Sequence, residues 1–145
     1  MRDRANKRDP DKEAGAIGER LALVRSRIAA ACLSAGRNPD EVRLLPISKT
    51  VSVGRLRSAF AAGISLFGEN KVQEAKAKAE TLSDLPVSWS IVGHLQTNKA
   101  KEVARFADEF QALDSLRVAE ALERRLEIED RTLDVLVQVN TSEIG

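Results

Sequence analysis

Residues 43–50 read Arg-Leu-Leu-Pro-Ile-Ser-Lys-Thr, a short apolar run that ends in a lysine. The apolar part is typical of a buried strand, and the residues after Lys49 are typical of a helix start. Lys49 is therefore predicted to lie at the connection between a strand and the helix that follows it. Ligands of α/β proteins gather at this edge of the sheet, because its loops vary while the strands hold them in place. Lys49 is thus the first candidate functional residue.

The same strand-to-helix pattern recurs along the chain at a nearly constant interval. Predicted strands begin near Arg43, Ile64, Val87, Phe110 and Leu133, with spacings of 21, 23, 23 and 23 residues. Each interval holds one strand and one helix, and such short connections imply a parallel sheet with right-handed crossovers. Five strands in 145 residues suit a flavodoxin-like open sheet, whereas a (β/α)8 barrel needs eight strands and typically ~250 residues. Length alone favours the open sheet.

Local signals predict where the helices begin and end. An amphipathic helix is predicted over residues 13–35, with Gly36 ending it. The later helices are predicted to start at Ser52 and at three capping residues, which are Asn70, Thr97 or Asn98, and Ser115. Residues 1–12 mix basic and acidic side chains with little apolar surface, and this composition predicts a disordered charged tail.

Composition excludes several classes of function. The chain has 23 basic and 22 acidic residues, so its net charge does not favour a nucleic-acid or membrane partner. One cysteine, Cys32, excludes an intramolecular disulfide, and no apolar run reaches the length of a membrane span, which together predict a cytoplasmic protein. Neither the P-loop motif GxxxxGK[ST] nor the dinucleotide-binding motif GxGxxG is present in the sequence. Because His94 is the only histidine, neither a metal site nor a Ser-His-Asp triad is predicted.

Polar residues follow each predicted strand. In either architecture these segments meet at one edge of the sheet, so they are expected to line a single mouth. The segments are 48–50, 68–70, 93–99, 114–115 and 140–141.

Four side chains of this set are candidate binding residues. A strand mouth that partly buries Lys49 would favour its neutral amine, which can attack an aldehyde to form a Schiff base. The alternative is that Lys49 simply extends into water. Asn70 is either a ligand contact or a helix cap, and His94 is either a proton carrier or a loop hydrogen-bonding residue. Asn140 either contacts an aromatic ring or closes a turn.

Four stretches of the chain closely resemble, in order and spacing, the YggS/PROSC family of pyridoxal phosphate homeostasis proteins. They are LLPISKT at 44–50, FGENKVQE at 67–74, WSIVGHLQTNK at 89–99 and VQVN at 137–140. The resemblance covers residues 13–145 and leaves out only the charged tail.

This resemblance implies a (β/α)8 TIM-type barrel of PLP fold-type III, like the N-terminal domain of alanine racemase. It implies pyridoxal 5′-phosphate held as an internal aldimine on Lys49, and Asn70 matches the asparagine of the family's FGEN motif. Our leading hypothesis is that Lys49 forms the aldimine and that Asn70, His94 and Asn140 line the ring side. It further implies a cytoplasmic, often monomeric carrier or buffer of the cofactor, with no assigned catalytic residue and with PLP-requiring apoenzymes as possible partners.

Only about five βα units of the family pattern are present. Family members continue through three more units that hold the cofactor phosphate, so residues 13–145 correspond to the N-terminal portion of the barrel. An unclosed barrel exposes strand edges, and self-association is therefore expected.

Two other functions stay open at this stage. One is a PLP-dependent racemase or decarboxylase, although such enzymes commonly use a tyrosine and this chain has none. The other is a flavodoxin-like domain that binds a phosphorylated ligand without covalent attachment.

Overall fold

The computed structural model describes residues 9–142, which divide into two compact units. The first unit consists of residues up to 46 together with 51–65. It contains helices α1 (Pro10–Ser34) and α2 (Val53–Ala61). The second unit consists of residues 47–50 together with those from 66 onward, and it contains every strand of the described chain.

Helix α1 begins three residues earlier than predicted. The side chain of Asp9 accepts a hydrogen bond from the Asp11 N–H at 3.0 Å, and Pro10 occupies the first turn, where its missing N–H costs nothing. The predicted tail over residues 1–12 is therefore too long, while residues 1–8 lie outside the described part. Neither α1 nor any other described helix is both long enough and apolar enough to cross a membrane.

The second unit is a four-stranded parallel sheet with its helices between the strands. The strands are paired in the consecutive order β1-β2-β3-β4. The elements are β1 (Leu66–Glu69), α3 (Val72–Thr81), β2 (Ser88–Ile91), α4 (Ala100–Phe106), β3 (Glu109–Leu113), α5 (Leu116–Glu129) and β4 (Asp134–Val137). Four of the five predicted strands are thus confirmed.

The strand predicted near Arg43 is wrong. Among residues 9–142, its only ladder contact is an isolated bridge between Ile47 and Gly68. Pro46 lacks an N–H and cannot donate to a ladder, so pairing begins only beyond it. Ile47 nevertheless pairs with β1 in the parallel direction of the sheet.

The strand order decides between the two architectures. Because crossovers are right-handed, a consecutive order places every helix on the same face, whereas a flavodoxin-like sheet reverses its order and carries helices on both faces. Side chains of α3, α4 and α5 share one core with β2 and β3, including Val72, Val103, Val118, Ile91 and Phe110. The flavodoxin-like alternative is therefore wrong for the described sheet.

One of the three predicted helix caps is confirmed. The side chain of Ser115 accepts a hydrogen bond from the Val118 N–H, which caps α5. Ser52, which was predicted only as the start of α2, caps that helix in the same way by accepting from the Arg55 N–H. Asn70 is not a cap, because α3 starts after Lys71 and has no capping side chain. Neither Thr97 nor Asn98 caps α4, because both residues belong to a short 3-10 turn, Thr97–Lys99, that leads into the helix.

Candidate functional site

Lys49 lies at the carboxyl edge of the sheet, two residues after the bridge formed by Ile47. Its side chain is exposed, whereas the preceding side chain, Ser48, is buried. The structure therefore agrees with the second of the two interpretations of Lys49, in which the side chain extends into water. Side chains alternate along an extended segment, and in this segment it is Ser48 that faces the protein interior.

The segment before Lys49 is anchored by a buried ion pair. The ammonium of Lys78 lies 2.6 Å from Oε1 of Glu69 and donates to the Ser48 carbonyl oxygen at 2.7 Å. The Ser48 hydroxyl donates to the same Glu69 oxygen at 2.6 Å. The Glu69 side chain is fully buried and that of Lys78 is 8% exposed. The backbone entering Lys49 is thus tied to both β1 and α3.

The segment after Lys49 is anchored by Glu74, which is itself bound to Lys78. Oε2 of Glu74 accepts a hydrogen bond from Lys78 at 2.6 Å and another from the Thr50 N–H at 2.7 Å. Thr50 has φ of 62°, in the left-handed region that a β-branched residue rarely adopts. We call Ser48, Thr50, Glu69, Glu74 and Lys78 the anchoring cluster.

Two members of the anchoring cluster have shifted pKa values. The hydrogen bond from Lys78, and then that from the Thr50 N–H, lowers the pKa of Glu74 below its ordinary value of 4.5. Burial lowers the pKa of Lys78, but hydrogen bonds with Glu69 and Glu74 outweigh burial and raise it above 10.5. Glu74 therefore stabilises the fold above pH 4.5, and this contribution is lost as the pH falls through its folded-state pKa. Lys78 stabilises the fold below pH 10.5, and its contribution is lost as the pH rises through its folded-state pKa.

We expect Glu74→Gln to flatten the acid side of the stability profile. The amide cannot titrate, so the variant loses the part of the pH dependence that comes from Glu74. Urea unfolding between about pH 3 and pH 7 measures this slope. Glu80→Gln, at an exposed position of the same helix, should keep the wild-type slope. Identical acid slopes for all three proteins would refute the assignment.

Asn70 follows β1 and is held against the loop after β2. A Cβ built on Gly93 would lie 2.5 Å from the Asn70 backbone oxygen and would also overlap the side-chain amide. Only glycine allows this approach, so Gly93 and Asn70 form a close contact between the two loops. Asn70 therefore takes part in loop packing at the strand ends and not in helix capping.

We expect Gly93→Ala to destabilise the protein by about 1–3 kcal/mol, because the added methyl overlaps backbone as well as side-chain atoms of Asn70. Chemical denaturation measures the difference. Gly15→Ala is the matched control: a Cβ there meets nothing within 4 Å, and the change within α1 should stabilise by up to ~1 kcal/mol. A Gly93→Ala variant as stable as wild type would contradict the close contact between Gly93 and Asn70.

Asn70 and His94 line the same groove, whose volume is about 410 Å³. His94 is 72% exposed, and its Nδ1 lies 3.9 Å from Oδ2 of Asp114, beyond direct hydrogen-bond distance. The structure thus brings two of the four candidate residues together, whereas neither Lys49 nor Asn140 lines this groove. Its lining residues are Asn70, Lys71, Val72, Gln73, His94, Gln96 and Lys99.

Asn140 follows β4 and closes a turn. Its Oδ1 accepts a hydrogen bond from the Ser142 N–H at 3.0 Å. The turn was one of the two roles predicted from the sequence. The amide nitrogen is the part of this side chain that remains for a ligand.

Sequence reasoning missed the anchoring cluster. Lys78 lies three residues after Ala75 and four before Leu82, on the buried stripe of α3. A lysine on an apolar stripe, four residues after Glu74, is a signal for a buried ion pair. Glu69 carried no such signal, because its burial depends on which face of β1 meets α3.

Comparison with known proteins gives relatives that share one name. A protein of Pseudomonas aeruginosa named pyridoxal phosphate homeostasis protein is 40% identical over 126 residues, covering 87% of this chain and 55% of the relative. One of Escherichia coli K12 with the same name is 39% identical over 130 residues, covering 88% and 56%. The chain therefore spans about half the length of the curated relatives it matches. No protein-family model matches it.

Solved structures give a consistent match. PipY of Synechococcus elongatus, described with PLP bound, has a TM-score of 0.76 and 38% identity over 87% of this chain and 55% of that protein. A structure of PipY without PLP gives the same TM-score. PipY therefore resembles this chain in amino-acid sequence as well as in backbone structure.

Proposed function

Since this chain is a homologue of the pyridoxal phosphate homeostasis proteins over most of its length, we propose that it binds pyridoxal 5′-phosphate covalently through Lys49. In this proposal the chain carries or buffers the cofactor and releases it to PLP-requiring apoenzymes. Catalytic turnover is not part of the role. The relatives are named for homeostasis of the cofactor, and one structural neighbour is described with it bound.

The placement of Lys49 is the observation that carries the proposal. Its side chain is exposed at the carboxyl edge of a parallel sheet, while the residues on either side of it are held by buried or partly buried groups. When bound, the cofactor supplies an aldehyde that condenses with a primary amine and releases one water. An accessible amine on an anchored backbone suits this reaction.

The other three candidate residues fit a polar aromatic ligand. Asn70 provides an amide and His94 an imidazole within one groove, so both can hydrogen-bond ring substituents. The oxygen of Asn140 is engaged in its own turn, so its amide nitrogen is the group we assign to the ligand. We propose Asn70, His94 and Asn140 as binding residues and none of them as catalytic.

A racemase or decarboxylase is the alternative function. Such enzymes need a second acid or base beside the cofactor, and this sequence contains no tyrosine and one histidine. Incubating the loaded protein with single amino acids, and following chirality and release of carbon dioxide, separates the two functions. The predicted cytoplasmic location stays a prediction.

We further propose that the sheet is part of a (β/α)8 barrel. Its consecutive parallel order and its helices on one face are the arrangement of such a barrel. Strand β4 would then be an interior strand of the complete barrel. In the described chain it is exposed along its whole length.

We expect exposed β4 to cause self-association of this 145-residue chain. Val135, Leu136 and Val137 are 41%, 55% and 70% exposed. Within the part of the chain that the structure describes, β4 is an edge strand, and its outer edge offers backbone groups to a second copy. Val137→Lys should shift the chain toward monomer in sedimentation velocity at concentrations on the order of tens of micromolar. Ile128→Lys, equally exposed but on α5, should not. A wild-type monomer at those concentrations would refute the expectation.

The proposed function is tested by loading the wild-type chain with the cofactor. Mixing should produce a new visible absorption band, and borohydride should reduce the linkage to a stable secondary amine. Peptide mass mapping should then find the cofactor mass on Lys49. The proposal would be overturned by the absence of a trapped adduct, or by an adduct distributed over surface lysines.

A further inference from the structure

We propose that Glu74 and Lys78 are positioning residues for Lys49, and this inference rests on the proposed function. Neither side chain needs to touch the cofactor. They act by fixing the backbone on both sides of Lys49, so that its amine is held in one direction at the sheet edge.

All three N–H donors of the Lys78 ammonium are used in hydrogen bonds. An ammonium has three N–H donors, and Lys78 uses them on the Ser48 carbonyl, on Glu69 and on Glu74, all at 2.6 to 2.7 Å. One of its three bonds therefore goes to the backbone immediately before Lys49. Ser48 is 30 residues distant in sequence, so this bond ties α3 to the strand-end segment.

Glu74 holds the residue that follows Lys49. The Thr50 N–H donates to the same carboxylate oxygen that binds Lys78. Since a threonine with φ of 62° is strained, this bond helps to hold the residue in a conformation that it would otherwise leave. Lys49 is thus enclosed between two anchored peptide groups.

The anchoring cluster has a cost in free energy, because its ion pair is buried. A buried ion pair is a poor way to stabilise a fold, because desolvation of two charges offsets most of their attraction. A fully buried Glu69 paired to Lys78 is better explained by the polar contacts it makes with the segment carrying the reactive amine. Fixing a nucleophile in advance lowers the entropy that the reaction must lose.

The main experiment measures the rate at which Lys49 forms a borohydride-trappable linkage with pyridoxal 5′-phosphate. Glu74→Ala removes both the Thr50 and the Lys78 contacts and should slow this rate about tenfold. Glu74→Gln keeps an acceptor oxygen for the Thr50 N–H, so it should recover most of the rate. Glu80→Ala, exposed on the same helix, should react like wild type.

A second readout does not use the cofactor. Hydrogen exchange of the Thr50 amide should speed up in Glu74→Ala and stay slow in Glu74→Gln and Glu80→Ala. Competitive labelling of amines in the folded chain should show altered reactivity of Lys49 relative to Lys71 in Glu74→Ala alone. If Glu74→Ala does not fold, the double variant Glu69→Leu/Lys78→Met removes the ammonium that holds the Ser48 carbonyl and should give the slower rate.

The outcomes separate the two proposals. A wild-type chain that attaches the cofactor at Lys49, with an unchanged rate in folded Glu74→Ala, overturns the positioning role alone. A wild-type chain that attaches no cofactor overturns the proposed function. In that case, unaltered amide exchange and labelling in Glu74→Ala would overturn the positioning role as well, and faster exchange with altered labelling would support it.

Discussion

Lys49→Ala is expected to abolish the borohydride-trapped adduct without unfolding the protein. The amine at this position is the proposed site of attachment, and an alanine side chain has no atom that can replace it. Because Lys49 is exposed, its removal should change the free energy of unfolding by no more than about 0.5 kcal/mol. Visible absorption measures cofactor attachment, peptide mass mapping locates any adduct, and urea unfolding of the same sample measures the free energy of unfolding.

Lys101→Ala is the matched control for this prediction. Lys101 is another exposed lysine, and it lies on α4 and is not among the residues that line the groove with Asn70 and His94. It should keep the visible band and the adduct on Lys49. An adduct that survives in Lys49→Ala, or that disappears in Lys101→Ala, would assign the attachment to a different amine.

Lys78→Met is expected to cost about 3–5 kcal/mol of unfolding free energy, the largest stability loss we anticipate. The thioether has a similar length but no charge, so the fully buried Glu69 carboxylate loses its cation. Glu69 Oε2 already lacks a hydrogen-bond partner among residues 9–142, which leaves little compensation. A domain stable by ~5–15 kcal/mol would lose a large fraction of its stability. Urea unfolding near neutral pH measures the loss, and Lys101→Met, at an exposed position of α4, should change little.

The double variant Glu69→Leu/Lys78→Met tests the cause of that loss. Removing both charges eliminates the unpaired carboxylate, and apolar replacement of buried pairs is often neutral or stabilising. The Ser48 hydroxyl can still donate to the Gly68 carbonyl, 3.3 Å away. The double variant should therefore regain most of the lost stability. A double variant as unstable as Lys78→Met would show that the cost comes from packing and not from charge.

The double variant also separates stability from positioning. It lacks the ammonium that holds the Ser48 carbonyl, so Lys49 should attach the cofactor more slowly even though the fold is restored. Wild-type attachment rates in a stable double variant would argue that the ion pair serves the fold alone.

The sequence by itself determined the succession of elements and the position of the candidate amine. Strand and helix signals depend on neighbouring residues, so β1 to β4, the start of α2 after Ser52 and the cap at Ser115 could be predicted from local pattern. The placement of Lys49 after an extended segment followed in the same way. The predicted start at Arg43 failed because Pro46 delays the pairing, and the early start of α1 depended on a single cap at Asp9.

Only the tertiary structure decided the strand order, the exposure of Lys49 and the anchoring of its neighbours. The bond from Lys78 to Ser48 spans 30 residues and exists only because α3 packs on β1 with one particular rotation. Periodicity assigns a residue to a stripe or a strand face, but it does not state which distant groups that face will meet. Contacts of this kind are set by strand register and helix packing, so they lie beyond what local sequence preferences can determine.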